Sequence, residues 1–217
     1  MPKKIIIVRH GETQDNVDRR FQGWIDTPLN EAGLAQARIV AKRLREEVVA
    51  AIYTSDLIRA KATAEIIAAE ISAPVMLRQE LRENDMGKFA GWQWEKEKDP
   101  YLESLWHELE ESRKKGDPNW KKHGGESHTE HLSRTKKFLA ELEANHPDES
   151  VVVVTHGGSI NRIMEIVGYS DWMCYVGYGN TSITIMEKSS TNYIVTLHND
   201  TSHLSESAKI VRKSNDQ

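Results

Sequence analysis

The chain has 217 residues, and its 29 lysines and arginines nearly balance 33 aspartates and glutamates, for a formal net charge of -4. Such a balance gives no sign of a nucleic-acid or anionic-membrane surface, so any affinity for anions has to be local. A single cysteine, Cys174, excludes an internal disulfide framework and fits a cytoplasmic location, and no uncharged apolar run approaches the roughly 20 residues of a membrane span. Length favours one domain over residues 1–204, with a polar tail over 205–217 that is expected to fray.

After Met1-Pro2-Lys3-Lys4 come too few apolar residues for a signal-peptide core. Ile5-Ile6-Ile7-Val8 is instead four β-branched residues in a row, the pattern of a strand buried on both faces of a parallel sheet. It runs directly into Arg9-His10-Gly11-Glu12-Thr13. Asn30 is placed to cap a helix through Leu34, Ala37, Val40, Ala41 and Leu44 toward Glu47. Ala51-Ile52-Tyr53-Thr54 reads as a short strand, and Ser55 as the N-cap of a helix from Asp56 to about Ile71. Pro74 breaks the chain before a third strand, Val75-Met76-Leu77, which leads into Leu81-Arg82-Glu83.

Residues 84 to about 125 interrupt this alternation and carry Trp92, Trp94, Trp106 and Trp120. They form an insertion that its aromatics anchor to the core, or a lid over the strand ends, and an insertion bordering the site satisfies both readings. Ser127 to Glu130 has capping-box spacing and opens a helix to about Asn145. Val151-Val152-Val153-Val154 then repeats the opening design and runs into Thr155-His156-Gly157-Gly158, followed by a helix over 159–167 and strands over 182–186 and 193–197. Alternating strands and helices of this kind predict an α/β fold with a mostly parallel sheet between helical layers.

In such sheets ligands bind beyond the carboxyl ends of the strands, so two strands that each end on His-Gly bring two imidazoles to one crevice. Arg9, His10 and His156 there form a cationic, nucleophile-capable cluster suited to a tetrahedral dianion. An imidazole beside an arginine tends to stay neutral, and a neutral imidazole is a competent nucleophile toward phosphorus. Cys174, between Trp172, Met173 and Tyr175, is expected to pack rather than react. His128 and His131 lie one helical turn apart near His123, a spacing compatible with a metal, although no cysteine is nearby.

Arg9-His10-Gly11-Glu12-Thr13 with Asn16 resembles the signature of the histidine phosphatase superfamily, the phosphoglycerate mutase-like enzymes. The resemblance continues, in the family's order over residues 4–186, through Thr54-Ser55-Asp56-Leu57-Ile58-Arg59-Ala60 with Thr63, Leu81-Arg82-Glu83 with Gly87 and Gly91, Gly124-Gly125-Glu126-Ser127, and Val154-Thr155-His156-Gly157-Gly158. It implies a three-layer α/β/α sandwich and catalysis with neither metal nor organic cofactor. It further implies that His10 is the phosphorylated nucleophile, that Arg9, Asn16, Arg59 and His156 hold the phosphoryl group, and that Glu83 is the general acid and base. Gln22, in a loop the family often turns toward substrate, is a further candidate. Glu12 and Thr13 are expected to shape the loop, and Gly179-Asn180-Thr181-Ser182 to support the pocket.

The mutase branch carries a long basic segment with paired arginines after the general acid, whereas here the segment from Asn84 is shorter and has no adjacent arginines. This departure favours water as the final acceptor. The expectation is therefore a phosphomonoester hydrolase acting on a small phosphorylated metabolite, as a monomer or homodimer. The alternatives are a phosphoglycerate mutase and a non-catalytic phospholigand-binding protein. Side chains of the insertion are expected to select the substrate, with Lys88, Trp92, Trp94 and Arg113 as candidates that read equally well as solvated or structural residues.

Overall fold

The computed structural model describes residues 1–171 and 173–204. The tail expected to fray and Trp172 lie outside the described residues. A six-stranded sheet has the order β3-β2-β4-β1-β5-β6, built from β1 (Lys4–Arg9), β2 (Ala51–Thr54), β3 (Val75–Leu77), β4 (Ser150–Thr155), β5 (Ile183–Lys188) and β6 (Tyr193–Asp200). The β1–β4, β2–β4 and β2–β3 pairings are parallel, and β5 and β6 add an antiparallel edge.

Alternation along the strands divides the interior in two, because successive side chains point to opposite faces. Ile5, Ile7, Tyr53, Val151 and Val153 pack with Phe138, Leu142, Ile160 and Ile163 of α5 (His128–Asn145) and α6 (Gly157–Ile166). Ile6, Val8, Ile52, Val152 and Val154 pack with Val40, Ala41, Ala60, Ala64 and Ile67 of α2 (Glu31–Arg43) and α3 (Ile58–Ile71). The result is the three-layer sandwich. All four residues Ile5 to Val8 are fully buried, as a strand covered on both faces requires.

Asn30 caps α2 by accepting from Gly33 N at 2.7 Å, and Ser127 forms the expected capping box with Glu130. Two helix ends differ from expectation. Helix α2 stops at Arg43 rather than Glu47, since Leu44 turns into the core and the chain bends to place Glu47 against Lys4. Helix α3 starts at Ile58, and its N-cap is Leu57 with no side-chain cap. Ser55 Oγ accepts from Leu57 N at 3.3 Å, one residue before the first helical N–H, while Asp26 from a distant loop accepts from Ile58 N at 2.6 Å. That carboxylate occupies the anion-favouring helix end, so the α3 terminus is not open to a substrate.

The tryptophan-rich stretch contains α4 (Pro100–Lys114), capped by Asp99. Phe89, Trp92 and Leu105 form a small core of their own, joined by Phe21, Met86, Trp106 and Trp120. Cys174 is exposed, contrary to the expectation that it packs. Asp171 Oδ1 accepts from both Met173 N and Cys174 N, and the turn so made leaves Met173 and Tyr175 exposed as well. An apolar neighbourhood in sequence is therefore not a core contact here.

Candidate active site

Because β1 and β4 are parallel neighbours with Arg9 opposite Thr155, the next residue of each strand, His10 and His156, must stand side by side. Their ring centroids are 5.1 Å apart at 57°. His10 Nδ1 lies 2.7 Å from Gly11 O, and since a carbonyl only accepts, the proton is assigned to Nδ1 and the lone pair to Nε2. The His10 backbone is held in turn: its N–H donates to Thr155 O, and its carbonyl accepts from Asn180 Nδ2 at 3.1 Å. Burial, then Arg59, His10 and Arg9, hold the His156 pKa well below its ordinary 6.5, so that ring is neutral.

Arg59 is buried and anchors its guanidinium by donating to Gly23 O at 2.8 Å and Ile25 O at 2.7 Å. Burial lowers its pKa to about 10 against the pull of Glu83, Asp26 and Asp15, which leaves it a cation at neutral pH. Arg9 donates through Nη1 to Tyr178 O. Asn16 Oδ1 accepts from Thr13 N and from Asn180 Nδ2 at 3.1 Å, which fixes the amide so that Nδ2 turns the other way. Gln22 Oε1 accepts from Thr13 Oγ1 at 3.1 Å. Thr13 itself caps the short α1 (Gln14–Val17), and Glu12 accepts from Asn30 Nδ2, so both shape the loop.

Asn16 Nδ2, Arg59 Nε and both ring nitrogens of His156 are buried with no hydrogen-bond partner among the described residues. An orphaned buried donor costs about 1–3 kcal/mol, and several in one place mark a site completed by an acceptor-rich ligand. Asn16 and Arg59 line a cavity of about 370 Å³ together with His10, Arg9, Gln22 and Glu83, whereas His156 is not among its lining residues and stands fully buried beside His10.

Glu83 reaches this cavity from the turn after β3. Its carboxylate accepts from Asn84 N at 2.8 Å and from Gly158 N at 3.0 Å, at the start of α6. A Cβ at position 158 would fall 2.1 Å from Glu83 Oε1, so the carboxylate can hold this place only beside a glycine. Glu83 does not pair with its chain neighbour Arg82, which forks onto Asp56 at 2.6 and 2.7 Å.

A family model for the histidine phosphatase superfamily (branch 1) matches residues 5–201. The chain belongs to this superfamily. It is 35% identical over 207 residues to a metal-independent phosphoserine phosphatase of Arabidopsis thaliana, covering 93% of this chain and 83% of that protein. It is 38% identical over 165 residues to phosphoglycerate mutase-like protein 4 of the same plant, covering 75% of this chain and 70% of the other. Among solved structures, the mycobacterial glucosyl-3-phosphoglycerate phosphatase in complex with VO3 superposes with a TM-score of 0.76 at 31% identity, over 91% of this chain and 98% of that one.

In this histidine phosphatase the general-acid candidate is held by residues that sequence patterns did not single out. Arg134 of α5 donates to the carbonyls of Glu80, Arg82 and Glu83 at 2.7–2.8 Å and forks onto Glu126, tying the Glu83 turn to the helix. Trp24 Nε1 also donates to Glu83 O, at 2.8 Å, and Ser159 Oγ donates to Arg82 O. The one signal for this clamp was Glu126 within the Gly-Gly-Glu-Ser stretch; Arg134 lies mid-helix among other charges. Of the insertion residues, Trp94 and Arg113 line the cavity, whereas Trp92 is core and Lys88 turns to Tyr101. His123 stacks between Phe89 and Trp120, His128 pairs with Glu165, and His131 meets Ser159 Oγ at 3.0 Å. Among the described residues, no three His, Cys, Asp or Glu gather as a metal site.

Proposed function

We propose that this histidine phosphatase is a phosphomonoester hydrolase in which His10 is the nucleophile and Glu83 the general acid and base. The observation that carries the reading is that His10 shares one cavity with Asn16 and Arg59 and stands 5.1 Å from the His156 ring, while buried nitrogens of all three find no partner among the described residues. His10 Nε2 attacks phosphorus in line as the ester P–O bond breaks, and Glu83 delivers a proton to the departing alkoxide. Arg9, Arg59, Asn16 Nδ2 and an N–H of neutral His156 take the equatorial oxygens, whose charge two buried guanidiniums answer without a metal ion. Glu83 then removes a proton from water, the water oxygen attacks phosphorus, the P–N bond breaks, and inorganic phosphate leaves with His10 restored.

The names of the relatives support a small phosphorylated substrate, and the single cysteine supports a cytoplasmic setting. Release of phosphate from p-nitrophenyl phosphate, lost in His10→Ala, together with an acid-labile phosphoprotein trapped from the wild type, is the expected result; a wild type inactive on a broad panel of phosphoesters overturns the reading. The likeness to a mutase-like relative makes isomerisation the second reading. Conversion of 3-phosphoglycerate that depends on 2,3-bisphosphoglycerate would establish it in place of hydrolysis.

A further inference from the structure

A single turn over residues 22–25 reaches both halves of the site. Gln22 O accepts from Ile25 N at 2.9 Å, and within the turn Gly23 takes a φ of 51°, in the left-handed region that favours glycine. A Cβ at Gly23 would lie 2.9 Å from Met86 N, so the turn packs directly on the chain just past Glu83. Gly23 O and Ile25 O are the two acceptors that anchor Arg59, at 2.8 and 2.7 Å. Trp24 stands between them. Its indole Nε1 donates to Glu83 O at 2.8 Å, and its ring carries the Arg82 guanidinium 4.8 Å from the ring centroid. Arg134 Nη2 donates to the same Glu83 carbonyl at 2.8 Å, so that oxygen is held from α5 on one side and from this turn on the other. Trp24 is nevertheless 39% exposed, while Phe21, three residues earlier, joins the core of the insertion. Burial of its ring therefore does not account for its place; the N–H bond and the stacked cation do.

We propose that Trp24 is a positioning residue that sets the carboxyl group of Glu83 against the guanidinium of Arg59. The inference rests on the hydrolase reading, in which Glu83 delivers the proton. Proton delivery needs the carboxyl group within hydrogen-bond reach of the departing oxygen, and the place of that oxygen is set by the groups that hold the phosphoryl. The bonds of the carboxylate to Asn84 N and Gly158 N orient it on α6, whereas Arg59 comes from α3. Trp24 joins the two, through one bond to the Glu83 carbonyl and through the carbonyls on either side of it to Arg59. The fork of Arg82 onto Asp56, two residues before α3 begins, is a second tie between the same segments, and the Trp24 ring lies over the guanidinium that makes it. Loss of the indole N–H leaves both Arg59 acceptors in place, because these are backbone carbonyls. The phosphoryl pocket is then kept while the proton donor loses its register with it.

Trp24→Phe tests this by keeping a ring over Arg82 and removing only the N–H. Phenyl phosphate and p-nitrophenyl phosphate bring the same ring into the cavity and differ in how strongly the departing oxygen needs a proton. In Trp24→Phe, kcat/KM should fall by about 10-fold for phenyl phosphate and stay within about 3-fold of wild type for p-nitrophenyl phosphate, with inhibition by inorganic phosphate unchanged. Trp24→Leu, which also loses the stacked cation, should cost more on phenyl phosphate. Added to Glu83→Gln, Trp24→Phe should cost neither ester anything further, because its effect passes through Glu83. Equal losses on the two esters, no loss on phenyl phosphate, weaker inhibition by phosphate, or a full further loss on top of Glu83→Gln each overturns the positioning role. Glu83→Gln alone checks the reading beneath it: equal losses on the two esters in that variant overturn Glu83 as the acid and the role of Trp24 together. A selective loss in Glu83→Gln without one in Trp24→Phe overturns the role of Trp24 alone.

Discussion

Gly158→Ala separates stability from catalysis in this fold. The backbone at Gly158 is helical, so alanine is conformationally acceptable, and relief of glycine's unfolded-state entropy adds about 0.4–1 kcal/mol. The new Cβ, however, falls on Glu83 Oε1 and stands 3.1 Å from its Cδ, so the carboxylate must withdraw and give up its bond to Gly158 N. That bond contributes about 0.5–1.5 kcal/mol, which offsets the entropic gain and keeps the melting temperature within about 4 °C of wild type. Catalysis has no such offset, because a general acid displaced by about 1 Å can cost about 100-fold. Steady-state kinetics should therefore show kcat/KM for an alkyl phosphate down by about 100-fold. Turnover of p-nitrophenyl phosphate, whose leaving group needs little protonation, should fall far less. An alkyl ester turned over within about 3-fold of wild type, in a protein of normal melting temperature, would refute both the Glu83 assignment and the need for glycine at 158.

Arg59→Lys should lower kcat/KM by about 100-fold or more and also lower the melting temperature, since one ammonium cannot hold Gly23 O and Ile25 O while facing a phosphoryl oxygen. Asn180→Ala should cost about 10-fold in turnover by releasing the Asn16 amide, and Asn180→Asp, which sets an acceptor against Asn16 Oδ1, should cost more. Dialysis against a chelator should leave turnover unchanged; loss that added metal restores would refute charge neutralisation by Arg9 and Arg59. Folded-state pKa values of His131 and His156 lie well below 6.5, so on acidification the unfolded chain binds protons first, and stability falls below about pH 6.5 by up to ~1.4 kcal/mol per pH unit for each group. Urea titrations at pH 7.5 and 5.5 test this, and equal midpoints would refute it.

What the sequence made legible was whatever local pattern and strand direction determine. Two runs of four β-branched residues, each ending on His-Gly, were enough to expect two imidazoles at one sheet edge, because parallel neighbours in register leave no other place for them. The capping box at Ser127 and the helix capped by Asn30 followed from three-residue spacings. Contacts made by chain segments far apart in sequence were not legible in that way. Ser55 had the right residue type for a cap, but Asp26, 32 residues from Ile58, took the position. Cys174 had apolar neighbours, but a turn closed by Asp171 faced them outward. Arg134 and Arg162 carry no pattern that distinguishes them from solvated helical cations; only folding shows one gripping the Glu83 turn and the other facing Arg113 across a cavity.

These placements divide the site into halves with different anchors. The phosphoryl half is built on the sheet edge: His10 and His156 follow adjacent strands, and Asn180 ties both His10 and Asn16 to the segment before β5. The leaving-group half hangs on a turn, where Glu83 is held by the backbone N–H groups of Asn84 and Gly158 and by Arg134 and Trp24. A sequence can therefore change the residues from 84 to 125, and with them the alcohol it accepts, while the machinery that attacks phosphorus stays fixed by strand register. Glu83 is the coupling point, because the same α6 backbone that holds its carboxylate also carries Arg162 one turn on. A shift of α6 would therefore move the proposed general acid with it, so a substrate contact that steadies this helix also steadies the proton donor.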